Sequence, residues 1–74
     1  MNNQVYEKVH WKTVEIFLKV SFNDDLRLGQ RFLNNFFTGL VDPELFYESN
    51  INEAINMIAS RYTDWSGFEG LRPF

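Results

Sequence analysis

His10 is the only histidine in the 74 residues, and Glu7 stands three positions before it. On a helix the two would share a face, as in Glu-x-x-His metal segments. Di-iron bundles need a second such segment and two further glutamates. Catalytic zinc asks for three protein ligands, and the chain has no cysteine to make up the set. Ser21, Ser49, Ser60 and Ser66 have no histidine close in sequence, and none occupies a Gly-x-Ser-x-Gly turn. Gly67 and Gly70 are followed by neither lysine nor a helical pattern, so no phosphate-cradling loop is present. Glu44 and Glu48 are spaced for one helix face. Paired carboxylates cleave glycosides only inside a substrate cleft, however, and a chain this short rarely encloses one. No catalytic, metal-binding or cofactor-binding residues are therefore expected, and the chain reads as non-enzymatic.

Contact chemistry is better represented. Trp65, Phe68, Leu71 and Phe74 supply bulky anchors of the kind that dominate interface energetics. This tail either folds back to close the core or presents itself to a partner or a second copy. Phe46-Tyr47-Glu48 is the other protein-binding candidate, because two adjacent aromatics in a short turn cannot both face one core. Arg27 and Arg31, with Lys12 and Lys19, could form a basic patch for single-stranded nucleic acid. The alternative is that they pair with neighbouring acids such as Asp24 or Glu48.

Charge argues against the nucleic-acid reading. The net charge is -3, and it is uneven. Residues 1–37 carry five basic against four acidic side chains, whereas residues 38–74 carry two basic against six acidic. From Leu40 to Ser60 there is no lysine or arginine. Such a surface repels phosphate backbones and suits a basic protein partner, or serves only as a solvated face.

Hydrophobic residues make up 45% of the chain and aromatics 18%, a profile for a folded globule rather than a disordered segment. No run approaches the ~18 apolar residues of a membrane span. Met1-Asn2-Asn3-Gln4 has neither the basic nor the apolar part of a signal peptide, so the cytoplasm is the expected compartment. A single domain of this size buries only about 60% of its unfolded surface. Without disulfides it needs dense packing or a partner, which leaves homo-oligomerisation open.

The elements that would carry these residues are mostly helical. Asn23-Asp24-Asp25 offers N-caps, and Leu26, Gly29, Phe32, Leu33, Phe36 and Leu40 follow at helical spacing, with Gly39 near the end. The spacing predicts a helix over 24–38. Asp42-Pro43 predicts an N-cap and first position for a short turn near 43–47. Asn50 with Glu53 resembles a capping box and opens a helix over 51–63, whose apolar face is Ile51, Ala54, Ile55, Ile58, Tyr62 and Trp65. Residues 7–21 are read as a helix apolar on two sides. The period-2 alternation of Val14, Ile16, Leu18, Val20 and Phe22 leaves a strand over 13–22, and hence an α+β fold, as the alternative. Residues 66–74 form an irregular tail. The expected fold is an all-α bundle of three main helices.

Arg27-Leu28-Gly29-Gln30 with Asn34, then Asp42-Pro43-Glu44-Leu45-Phe46-Tyr47-Glu48, resembles a pattern in short uncharacterised bacterial and phage-type proteins. In these an Arg-x-Gly-Gln-x-x-x-Asn helix precedes a Leu-Phe-Tyr turn and another helix. The resemblance spans about residues 23–62 and implies no activity. It implies a helical arrangement in which Gly29 allows close packing and Gln30 and Asn34 hydrogen-bond the following loop. The function expected from all these features is a cytoplasmic accessory or inhibitory protein of phage or mobile-element type that binds another protein.

Overall fold

The computed structural model describes residues 6–20 and 25–74. In chain order these form β1 (Val9–His10), α1 (Trp11–Lys19), α2 (Leu28–Phe36), α3 (Pro43–Phe46), α4 (Ile51–Arg61) and β2 (Thr63–Asp64). The protein is a small, mostly helical domain with one addition to the expected bundle, a two-stranded parallel ladder. Val9 pairs with Thr63 and His10 with Asp64, and the Val9 N–H donates to the Tyr62 carbonyl at 2.8 Å.

That ladder shortens two of the expected helices. Val9 and His10 are drawn out to pair with the segment after α4, so α1 begins at Trp11 rather than near residue 7. His10 becomes the N-cap, its Nδ1 accepting from the Lys12 N–H at 3.2 Å. Glu7 and His10 consequently share no helix face. At the other end Val20 is extended. The strand alternative fails over 13–19, which is helix, and residues 21–22 lie outside the described residues. α4 likewise stops at Arg61, because Thr63 and Asp64 turn into the ladder.

The first helix is apolar on one side only. Val14 and Phe17 are buried, whereas Ile16 and Val20 are exposed. α2 is also shorter than its hydrophobic stripe. Its N-cap is Arg27, whose N–H donates to Gln30 Oε1 at 3.1 Å. Of the expected caps, Asp25 lies in an exposed bend, and Asn23 and Asp24 lie outside the described residues. Leu26 is exposed rather than in the core. Gly39 does mark the end of the segment, with φ of +91° in the turn after α2.

The α3 and α4 starts follow the sequence closely. Asp42 caps α3, with Pro43 at the first helical position. Asn50 Oδ1 accepts from the Glu53 N–H at 3.1 Å, which is half of a capping box. The other half is replaced, because the Asn50 N–H donates to Glu48 Oε2 at 3.0 Å. Ile51 turns out of the apolar face, and Ala59 joins Ala54, Ile58 and Tyr62 in it.

The core is a set of interlocked rings. Phe32 lies 5.5 Å from Phe17, 5.8 Å from Phe37 and 5.9 Å from Tyr62, centroid to centroid. Around them pack Val14, Leu33, Leu45, Ala54 and Ile58. The dense aromatic packing that a short, disulfide-free chain requires is thus present.

Candidate functional site

α3 is a single turn of four residues, too short to be stable alone, and it is fixed from two sides. On one side lies Gly29 of α2. A Cβ built there would stand 2.0 Å from the Leu45 carbonyl oxygen. Only glycine allows the α2 backbone to approach α3 so closely, which gives this position its physical reason. Leu45, fully buried, anchors the turn from beneath.

On the other side is a polar clamp centred on Asp42. Its Oδ1 accepts from the Leu45 N–H at 3.3 Å. Arg61 Nη1 donates to Oδ1 at 3.3 Å and to Oδ2 at 3.2 Å. The Tyr62 hydroxyl donates to Oδ2, and Arg61 Nη2 donates to Glu44 Oε1. The carboxylate of Asp42 therefore ties the start of α3 to the end of α4. Burial pushes this carboxyl up, but the Tyr62 hydroxyl, the Leu45 amide and the Arg61 guanidinium together hold it below its ordinary range. Burial and the bond to Asp42 push the Tyr62 phenol well above its usual value. The Tyr6 hydroxyl donates to the Arg61 carbonyl at 3.2 Å, and its ring packs 5.1 Å from Tyr62.

What this framework holds out is an open apolar shelf of about 250 Å3, lined by Leu40, Val41, Asp42, Pro43, Phe46 and Tyr47. The two aromatics divide as adjacent residues in a turn must. Phe46 packs partly against the core, and Tyr47 is 64% exposed. Their rings meet edge to face, 5.0 Å apart. Val41, at the other end of the shelf, is 69% exposed. Glu48, the third member of the sequence candidate, turns away to accept from Asn50 and lines a different groove.

That groove is larger, about 440 Å3, and runs between the end of α1 and the starts of α2 and α4. Phe17, Leu18, Leu28 and Ile55 contribute apolar walls. Its charges are of both signs, with Arg27 and Arg31 against Glu48.

The tail folds back. Phe68 packs edge to face on Trp11 at 4.8 Å and on Trp65 at 5.1 Å. Phe74 lies 5.0 Å from Trp65, and the Arg72 guanidinium sits 5.0 Å above the Trp65 ring. The Trp65 indole N–H donates to the Ala59 carbonyl at 2.9 Å, which locks the ring to α4. Of the four bulky tail residues, only Leu71 stands clear, at 96% exposure.

Of the four candidate cations, Arg27 and Arg31 line the same groove, whereas Lys12 and Lys19 stand at opposite ends of α1. Lys12 lies over the Trp11 ring at the start of α1. Lys19, at the other end of that helix, pairs with Glu15 at 3.8 Å. Arg31 Nη2 donates to the Leu26 carbonyl at 2.9 Å. Among the described residues no three His, Cys, Asp or Glu side chains group as metal ligands, and no helix is long and apolar enough to cross a membrane.

Gln30 does not hold the loop that follows α2, as the sequence resemblance implied. Its side chain turns back to the Arg27 N–H. Asn34 accepts from the Thr38 hydroxyl through its main-chain carbonyl. The clamp itself had no sequence signal beyond the Asp42 cap, because Arg61 and Tyr62 lie 19 and 20 positions away. Comparison with protein-family models, curated proteins and solved structures finds no match.

Proposed function

We propose that this chain is a non-catalytic protein-binding module, an accessory or inhibitory factor acting in the cytoplasm, and that it meets its partner through the α3 shelf. The observation that carries this reading is the outward-facing Tyr47 on an element clamped from two sides. A scattered exposed apolar residue means little by itself. Here an exposed tyrosine, an exposed valine and a proline share one open surface, on a backbone held by Gly29, Leu45 and Asp42. Such an anchor loses little freedom on binding, and preorganisation of that kind turns contact area into affinity. The tail aromatics, by contrast, pack on one another and on Trp11 and are only partly exposed.

The test is capture by the tagged full chain from nuclease-treated host lysate, with Tyr47→Ala beside it. The expected result is one stoichiometric protein held by the wild type and lost by the variant, with the melting temperature unchanged. Recovery of nucleic acid alone, of the chain alone, or equally of the protein by both forms would overturn the proposal.

A further inference from the structure

We infer that the occupant of the α3 shelf is an extended, proline-rich segment carrying an arginine. This rests on the binding role proposed above and adds the chemistry of the partner. Three features point to it. The first is shape. The shelf is short and open, and its six lining residues lie on the four-residue turn, its C-cap Tyr47 and the three residues before it. An amphipathic helix needs a long trough for anchors spaced over two turns. The shelf instead fits the few apolar rings that one side of a polyproline II segment presents. The second is surface chemistry. Tyr47, Phe46 and Pro43 offer ring faces and edges, the lining on which proline rings pack.

The third is charge. Asp42 and Glu44 stand on this turn, in a stretch from Leu40 to Ser60 that has no lysine or arginine. The cation reaching back to this turn is Arg61, whose two terminal nitrogens are already committed to Asp42 and Glu44. The Glu44 side chain stays 65% exposed despite that contact. It is the exposed acid of the same short turn, three positions before Tyr47, and the one open to a partner's arginine. A guanidinium there gains both an ion pair and an aromatic face. A polyproline II segment is already extended, so it gives up little entropy on docking.

The experiment is selection of short random peptides displayed against the full-length protein, with each selected peptide then titrated against the wild type, Tyr47→Ala and Glu44→Gln. The expected outcome is enrichment of sequences with spaced prolines and an arginine. Such peptides should bind Tyr47→Ala at least about tenfold more weakly, bind Glu44→Gln about threefold more weakly, and lose affinity when their prolines become alanine. Proline-free peptides that still depend on Tyr47 would overturn this inference and leave the proposed binding surface standing. Peptides indifferent to Tyr47→Ala would overturn both. Failure to enrich any peptide would overturn the inference, and the lysate capture by wild type and Tyr47→Ala then decides the binding role separately.

Discussion

The α3 turn and the C-terminal tail both carry aromatics in short, irregular stretches, and they use them in opposite ways. In the tail, Trp65, Phe68 and Phe74 cover one another and Trp11, and the Trp65 N–H is bonded to α4. The cluster is a small satellite core. At α3, Phe46 goes inward and Tyr47, the C-cap, stays in solvent, while the backbone beneath is pinned by a glycine contact and a carboxylate clamp. Rings that hold the chain together need no polar scaffold, because burial is their reward. A ring held out to solvent at the end of a one-turn helix needs one, because its contact with Phe46 lies within the same turn and does not tie that turn to the rest of the fold. The scaffold under an exposed ring is therefore more informative about binding than the ring itself.

The contrast can be broken most severely at Gly29. Gly29→Ala gains about 1 kcal/mol of helix propensity but drives a methyl into the Leu45 carbonyl, backbone against backbone. The expected net loss is at least about 3 kcal/mol, read as a collapse of the denaturation midpoint, and it is a large share of the stability of a 74-residue domain. If Gly29→Ala folds as well as the wild type, α2 does not hold α3.

Next comes the clamp. Tyr62→Phe removes a hydrogen bond to a charged acceptor and is expected to cost about 1.5–3 kcal/mol. Its pH signature follows from the directions of the shifts. Asp42 titrates lower in the folded state than its ordinary 3.8, so its contribution is complete above that value and is lost as the pH falls through the lowered one. Tyr62 titrates higher than its ordinary 10.0, so its contribution is complete below pH 10 and is lost as the pH rises through the raised value. Urea midpoints measured from pH 7 to pH 2 should fall more steeply for the wild type than for Asp42→Asn. Equal slopes would remove Asp42 from the account of stability.

The tail is expected to show an intermediate effect. Phe68→Ala strips packing from Trp11 and Trp65 at a half-buried site and should cost about 1–2 kcal/mol by thermal melting. A cost within error of zero would mean that the tail is not part of the core. The smallest effect belongs to Glu44→Gln, which loosens one exposed pair with Arg61. About 0.2–1 kcal/mol is expected, and a loss near that of Tyr62→Phe would show that the outer acid, rather than Asp42, carries the clamp.

Much of α2, α3 and α4 was legible because local rules governed them. Asp42-Pro43 and Asn50 act as the caps their types suggested, and the close approach expected at Gly29 is met by Leu45. The ladder between β1 and β2 was not legible. Each strand is two residues long, and the partners are separated by most of the chain. That one long-range pairing explains why α1 starts late and α4 stops early. Residues 13–19 are helical despite their strand-like alternation, and the helix buries Val14 and Phe17, three positions apart. Ile16 was left outside, where its place in the alternating pattern has no consequence. At the candidate site the sequence marked Phe46 and Tyr47, but it could not show that Glu48 turns toward Asn50 or that Arg61 and Tyr62 close on Asp42. Those arrangements depend on how α3 and α4 pack, and nothing in local spacing encodes them.

The division between a binding ring and a structural cluster is tested most directly by measuring partner capture for Tyr47→Ala and Phe68→Ala side by side, normalised to folded protein. Capture should be lost with Tyr47→Ala and kept with Phe68→Ala, although the second is the less stable variant. Loss with Phe68→Ala and retention with Tyr47→Ala would place the interface on the tail and contradict the role assigned to α3.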